Sequence, residues 1–74
     1  MGNEYWVYYT AKFNGTQKDY FLHLYAINSI IAKDLCRRKV MEETGRHAFN
    51  VKAMVTERLP KGYKYAEEGY PPSK

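Results

Sequence analysis

The 74-residue sequence is poor in the residues that hold many small proteins together. Cys36 is its only cysteine, which excludes an internal disulfide and fits a reducing compartment. The soft zinc ligands are limited to Cys36, His23 and His47, and their spacings match no zinc motif. We therefore predict that the protein holds no metal and no cofactor. Because so short a chain buries only about 60% of its unfolded surface, its core is thin and a partner would stabilise it.

Long apolar runs are also missing from the sequence. No stretch approaches the ~20 apolar residues that span a bilayer, and residues 1–11 lack the basic-then-apolar order of a signal peptide. We expect a cytoplasmic protein that does not contact the membrane. The net charge of +4 is mildly basic, which is compatible with plain solubility and with binding to nucleic acid.

Groups that commonly catalyse reactions are few and scattered along the chain. Ser29 lies at a predicted helix cap, and Ser73 lies near the C-terminal end. Glu42 and Glu43 are adjacent in a predicted helix, so they point about 100° apart and do not converge. His23 is a candidate general base, but the sequence shows no partner acid near it. No Gly-rich phosphate loop is present, and we predict that the protein is not an enzyme.

Aromatic residues, in contrast, are abundant, with eight tyrosines, three phenylalanines and one tryptophan. Several of them flank Asn14-Gly15, a dipeptide that favours a two-residue type I′ turn because both positions need positive φ. This turn predicts an antiparallel hairpin in which Trp6 lies opposite His23. The alternation of apolar residues assigns the same residues to each side of the hairpin, which supports the predicted register.

A helix and a third strand follow the hairpin. The run from Ile30 to Thr44 contains no Gly or Pro, and either Asn28 or Ser29 can cap its start. Gly45 supplies the left-handed position that ends such a helix. Alternation from Ala48 to Leu59 then predicts a strand that Pro60 ends. In this strand the residues predicted to face the helix are Phe49, Val51, Ala53 and Val55.

These elements predict an α+β fold for residues 1–59, a single ββαβ domain followed by a flexible C-terminal tail at residues 60–74. The sheet is expected to have three mostly antiparallel strands in the order 2-1-3, with the helix packed on one face. A parallel pairing of strand 3 beside strand 2 is the alternative.

One helix covers only one side of such a sheet, and the other side is unusually aromatic. Large exposed apolar surface marks binding sites, and Trp, Tyr and Arg dominate the energetics of protein interfaces. We predict a protein partner or a homodimer there, with contacts from Trp6, Tyr8, Phe21, His23, Tyr25, Met54 and Arg58. A competing prediction is that the tail covers this face with Tyr63, Tyr65 and Tyr70.

Nucleic acid is the alternative ligand for the same surface. Aromatic rings on an open sheet stack with bases, and neighbouring basic residues contact phosphates. The candidate basic residues on the sheet and the helix are Lys12, Lys33, Arg37, Arg38 and Lys52. The RNP pattern of RRM domains is absent, and the basic helix residues more simply form a solvated surface.

The stretch from Tyr5 to Gly45 loosely resembles the three-stranded arm-binding domains of phage integrases. Those domains carry all three strands before the helix, whereas the third strand here is predicted after it. The general form is also similar to that of small proteins of phages and mobile elements, some of which inhibit host defence complexes. This resemblance implies a phage-type inhibitor of a host complex, and it carries over no functional residue.

Overall fold

The α+β class is confirmed by the computed structural model, which describes residues 2–63 and 66–73. The elements are β1 (Asn3–Phe13), β2 (Thr16–Ala26), α1 (Ser29–Thr44), β3 (Phe49–Met54) and β4 (Glu67–Glu68). The sheet is mixed and has the strand order β3-β1-β2-β4. Within the described residues, no helix is both long and apolar enough to cross a membrane.

The β1–β2 hairpin has the predicted turn and register. Asn14 and Gly15 both adopt positive φ, 50° and 75°. Each of the 11 residues of β1 has a partner in β2, and the pairing runs without a shift from Asn3 opposite Ala26 to Phe13 opposite Thr16. This regular register determines which side chains share a face of the sheet.

The helix covers one side of this hairpin, and the core lies between them. The buried side chains are Tyr5, Val7, Tyr9 and Ala11 of β1, Tyr20, Leu22, Leu24 and Ala26 of β2, and Ala32, Cys36 and Val40 of α1. The buried helix residues recur every fourth position and are small, which lets the helix approach the sheet closely. Fully burying a Val or Leu side chain contributes roughly 1.5–3 kcal/mol to stability.

Both ends of α1 are capped as the sequence predicts. The Oδ1 atom of Asn28 accepts a hydrogen bond from the Ile31 amide at 2.9 Å. Gly45 adopts φ 71° and donates its amide to the Met41 carbonyl at 2.9 Å. Ile31, in the first turn of the helix, is exposed.

Strand β3 is shorter than predicted, ending at Met54, and it contains a β-bulge. Lys52 lies opposite Tyr8 and Phe49 lies opposite Thr10, so two residues of β3 span the single position of Tyr9. Asn50 lies at this bulge with φ 52°, a left-handed conformation that Asn tolerates better than most residues.

Two expectations about β3 are corrected by the structure, one through the bulge and one through the end of the strand. The first concerns Phe49. The bulge reverses the alternation, so that Phe49 lies on the side of Thr10 and outside the core, whereas the sequence placed it toward the helix. The strand ends at Met54, and Val55, also expected to face the helix, is 71% exposed. Val51 and Ala53 do pack against the core.

A fourth strand corrects the predicted three-stranded, mostly antiparallel sheet. Strand β4 pairs in parallel with Tyr20 and Phe21 of β2, and the Gly69 amide donates to the Phe21 carbonyl at 2.9 Å. An ion pair of 2.9 Å between Lys18 Nζ and Glu67 Oε1 reinforces the pairing. This strand lies within residues 60–74, whose flexibility stays a prediction, as does the domain boundary at residue 59.

Arg46, in the loop after α1, connects three parts of the chain. Its Nη1 atom donates to the Lys12 carbonyl at 3.0 Å, and its Nε atom donates to the Pro72 carbonyl at 2.6 Å. The guanidinium also lies 5.4 Å from the centre of the Phe13 ring. The side chain therefore ties the tip of the hairpin to the C-terminal segment.

Candidate functional site

The side of the sheet opposite the helix, here called the open face, carries the even-numbered residues of β1 and the odd-numbered residues of β2. Its aromatic side chains fall into two groups. The covered half comprises Tyr8, which contacts Glu57 and Tyr63 of residues 57–63, and Phe21, whose ring packs against Tyr8. The aromatic row comprises Trp6, His23 and Tyr25, toward the start of β1 and the end of β2.

Tyr8 forms the centre of the covered half. Its side chain is only 3% exposed, because the ring packs edge-on against Tyr63 at 6.0 Å and contacts Phe21 at 5.3 Å between centroids. Its hydroxyl donates to the Glu57 carbonyl at 3.3 Å. Burial, and secondarily the nearby Glu57 carboxylate, raises the pKa of the Tyr8 phenol. Because Tyr8 is buried, it is not an accessible contact residue in this structure.

Tyr63 holds the covering segment in place. Its hydroxyl donates to the carbonyl of Asn50 at the bulge, and burial raises the pKa of its phenol. Beside it, the Thr10 hydroxyl donates to Asp19 Oδ1 at 2.8 Å. A cavity of about 190 Å³ opens here, lined by Thr10, Asp19, Asn50, Lys52, Lys61, Gly62 and Tyr63.

The expected cover by three tyrosines is therefore seen for one of them. Tyr63 lies over Tyr8, whereas Tyr70 lies on the helix side, where Glu43 and Glu42 help burial to raise the pKa of its phenol. Tyr65 lies outside the described residues. Cover by the described part of the C-terminal segment, residues 60–63 and 66–73, thus reaches only part of the open face.

The aromatic row continues along the hairpin beyond this cover. The Trp6 and His23 rings stack with centroids 4.8 Å apart and planes inclined by 27°. The His23 and Tyr25 rings are 5.5 Å apart and tilted by 54°. Tyr25 is 62% exposed, whereas Trp6 is partly buried by its neighbours. The row therefore presents ring faces and edges to solvent on a rigid two-stranded scaffold.

A carboxylate orients the middle ring of the row. His23 Nε2 lies 3.0 Å from Glu4 Oε2, and both side chains are partly exposed. The sequence reasoning found no acid near His23, yet the hairpin register contains the signal, because Glu4 lies opposite Tyr25 and diagonally from His23. The contact fixes the orientation of the imidazole.

The remaining predicted partner contacts border the row. Met54 lies opposite Trp6 on β3 and is partly buried. Phe21 is partly buried beside Tyr8. Arg58 is exposed in the segment that follows β3. Met54 is thus the predicted contact that the sheet register places directly beside the row.

The predicted nucleic-acid residues are distributed over separate surfaces. Lys33, Arg37 and Arg38 lie on α1, which packs on the other side of the sheet from the aromatic row. Arg37 Nη1 pairs with Asp34 Oδ1 at 2.9 Å. On the sheet, Lys52 borders the cavity and Lys12 lies near the hairpin tip, one residue before Phe13, which ends β1. The structure does not bring these five residues into one basic surface.

Within residues 2–63 and 66–73, no three His, Cys, Asp or Glu side chains come together as a metal site would need. Cys36 is fully buried, and burial raises the pKa of its thiol to about 12. The thiol is therefore protonated at neutral pH and sequestered from reagents. The predictions of no metal, no cofactor and no enzymatic activity stay predictions. Comparison with family models, with curated proteins and with solved structures finds no match.

Proposed function

We propose that this chain is a small non-enzymatic binding protein that docks a protein partner through the aromatic row. One observation carries the proposal, namely the unequal cover of a single face. Residues 57–63 bury Tyr8, while Tyr25 on the same face remains 62% exposed. Exposed aromatic surface on a rigid sheet is typical of a contact site.

The residue types in the row fit a protein partner. Trp and Tyr supply large contact area at low conformational cost and are enriched among the residues that dominate interface energies. Met54 beside Trp6 adds an adaptable apolar contact. Because the Trp6 and His23 rings are already stacked, little side-chain entropy is lost when a partner covers them.

The electrostatics of the row favour protein over nucleic acid. Glu4 places a carboxylate 3.0 Å from the His23 ring, inside the surface on which bases would stack. Such a charge repels the phosphate backbone, which supplies most of the affinity in nucleic-acid binding. The basic residues of α1 lie on the opposite side of the sheet.

The test compares binding by variants of the row and of the helix. A partner captured by the wild-type chain is identified, purified and titrated against Trp6→Ala and against Lys33→Ala, the control on α1. We expect Trp6→Ala to weaken binding by about 2 kcal/mol or more, roughly 30-fold in Kd. Lys33→Ala is expected to leave Kd unchanged.

Two results would contradict the proposal. In the first, Trp6→Ala and Tyr25→Ala bind the purified partner as tightly as the wild-type chain does. In the second, the wild-type chain binds a mixed-sequence single-stranded oligonucleotide with Trp6 quenching that added salt reverses. The latter result would assign the row to nucleic acid, since release of counterions makes such binding strongly dependent on salt.

A further inference from the structure

The outer edge of β2 is paired over only part of its length. Strand β4 pairs with Tyr20 and Phe21, and the chain then turns toward the helix side, where the Gly69 carbonyl accepts the Tyr9 hydroxyl at 2.7 Å. Among the described residues, no strand pairs with the outer edge of β2 from His23 to Ala26. This stretch runs beside the aromatic row.

The hairpin register determines which backbone groups this edge presents. Phe13 and Thr16 flank the two-residue turn, so they form a hydrogen-bonded pair, and the even-numbered residues of β2 then bond to β1. The odd-numbered residues point outward, as the bond from the Gly69 amide to the Phe21 carbonyl confirms. The N–H and C=O groups of His23 and Tyr25 therefore face away from the sheet.

The side chains along this edge do not protect it. Natural edge strands are usually guarded by lysine, proline, a bulge or a very short length. The sequence His23-Leu24-Tyr25-Ala26 has no lysine, no proline and no bulge. The opposite edge, β3, has a bulge at Asn50 and an exposed Lys52. The β2 edge is thus the less protected of the two.

We propose that the β2 edge pairs with the same edge of a second copy of this chain, antiparallel, about a two-fold axis at Leu24. This register places His23 of each copy opposite Tyr25 of the other, and such pairs exchange both of their N–H···O bonds. These hydrogen bonds use only the backbone groups of His23 and Tyr25, which lie beyond Phe21, so they compete with none of the groups that β4 and the Gly69 amide occupy.

The self-complementary register is what identifies the second copy as the occupant. His23 and Tyr25 already contact each other within one chain at 5.5 Å. Across the two-fold axis the same two ring types meet again, so the two aromatic rows join into one continuous surface. The inference goes beyond the proposed function, because the second copy binds the backbone edge and leaves the joined aromatic rows open to a protein partner.

The exposed apolar area at this end of the molecule supports a modest dimer. Tyr25, Ile27 and Ile30 are 62%, 65% and 67% exposed and lie where β2 ends and α1 begins. At about 200 Å² for a fully exposed tyrosine and about 120 Å² for a fully exposed isoleucine, they present roughly 280 Å². This area is more than half of the roughly 450 Å² of apolar surface that each side of a standard interface contributes.

The decisive experiment measures mass and amide exchange together over a range of protein concentrations. Sedimentation should show the species shifting from 8.7 kDa toward twice that mass as concentration rises. Over the same range, exchange of the His23 and Tyr25 amides should slow at least tenfold. The Ala53 amide is the internal control, because it points outward from the opposite edge and should not gain protection.

Two substitutions of Tyr25 distinguish the contribution of the β2 backbone edge to dimerisation from that of the Tyr25 ring. Tyr25→Pro removes one outward N–H, a change that an edge strand tolerates. We expect this variant to lose the dimer but to keep the circular dichroism spectrum of the folded chain. Tyr25→Thr, which removes the ring but keeps the N–H, should weaken association less. If Tyr25→Pro unfolds the chain, the concentration dependence of amide exchange in the wild-type chain still tests whether the β2 edge forms the dimer.

Three outcomes would overturn the inference: a monomer at every concentration, a dimer that protects Ala53 in place of Tyr25, or a folded Tyr25→Pro variant that still dimerises. None of these outcomes contradicts the proposed function. That proposal fails only if a purified partner binds Trp6→Ala and Tyr25→Ala as tightly as it binds the wild-type chain, or if the row binds an oligonucleotide in a salt-reversible manner.

Discussion

The two halves of the open face are built from the same strands and similar side chains, yet one belongs to the interior and the other to the surface. In the covered half, Tyr8 packs against Phe21 and Tyr63 and becomes almost fully buried. In the aromatic row, Trp6 packs against His23, and Tyr25 stays exposed. The difference shows that a strand pattern defines a face, whereas a distant segment decides how much of it remains available.

The polar atoms of the two regions also differ in their exposure to water. The Tyr8 hydroxyl is bonded to the Glu57 carbonyl inside the protein, as a buried donor requires. The Glu4 and His23 side chains contact each other at 3.0 Å but remain partly exposed to water. A partner that covers the row must therefore satisfy or retain this pair, which adds specificity to an otherwise apolar contact.

The largest expected effect compares alanine substitutions in the two halves. Tyr8→Ala removes a buried ring and should lower the free energy of unfolding by about 3–5 kcal/mol. Tyr25→Ala removes an exposed ring and should change it by less than about 1 kcal/mol. Urea denaturation of dilute samples measures both values. Equal losses of unfolding free energy for the two variants would contradict the division of the open face into a buried half and an exposed row.

A second prediction concerns the residue that ties the hairpin to the C-terminal segment. Arg46→Ala removes two hydrogen bonds to carbonyls and the contact with Phe13. We expect a loss of about 2 kcal/mol in the free energy of unfolding. The control is Arg38→Ala on α1, an exposed arginine, for which a change below about 0.5 kcal/mol is expected. A similar loss for both arginines would show that Arg46 is an ordinary surface residue.

Alkaline pH should destabilise the core and the covered half. The pKa of Cys36 is raised from 9.0 to about 12 by burial, and the pKa values of Tyr8 and Tyr63 are raised from 10.0 for the same main reason. Above the unfolded pKa the unfolded chain releases protons that the folded chain retains, so stability is full below pH 9 and falls as pH rises. For Cys36 alone the slope approaches about 1.4 kcal/mol per pH unit.

Thermal unfolding of the wild-type chain and of Cys36→Ala, recorded from pH 7 to pH 11, measures this slope. The variant should be less stable at pH 7 because it leaves a small cavity, but its loss of stability should begin nearer pH 10, where tyrosines ionise. Parallel curves for the two proteins would contradict burial of the thiol.

The smallest expected effect sharpens the account of the covering segment. Tyr63→Phe keeps the ring against Tyr8 but removes the hydroxyl that bonds to the Asn50 carbonyl. The expected cost is about 1 kcal/mol. Tyr25→Phe is the matched substitution in the aromatic row and should cost less than about 0.5 kcal/mol. A larger cost at Tyr25 would reverse the assignment of the two halves.

The parts of the fold that local chemistry determines were predictable from sequence. The Asn14-Gly15 turn has only one favoured geometry, and it determines the whole register of the hairpin. The Asn28 cap and the Gly45 terminus are equally local signals. The register of the hairpin in turn places the core residues of β1 and β2 on one side of the sheet.

The parts that were missed depend on contacts between distant residues. Nothing local distinguishes Asn50 as a bulge, because the bulge exists only relative to its partner on β1. Strand β4 consists of two glutamates, a residue type with little β propensity, and forms only because the edge of β2 receives it. The contact of Tyr63 with Tyr8 joins residues far apart in the chain. The predicted phage-type inhibitory role and cytoplasmic location stay predictions.

The most direct test of the difference between the two halves is hydroxyl-radical footprinting of the tyrosine rings. The experiment uses the wild-type chain at a dilution where it is monomeric, with mass-spectrometric mapping of the modified residues. Tyr25 should be modified many times faster than Tyr8, and fully buried Tyr9 sets the background rate. Modification of Tyr8 at a rate similar to that of Tyr25 would mean that residues 57–63 do not cover the face, and would contradict the proposed division of this surface.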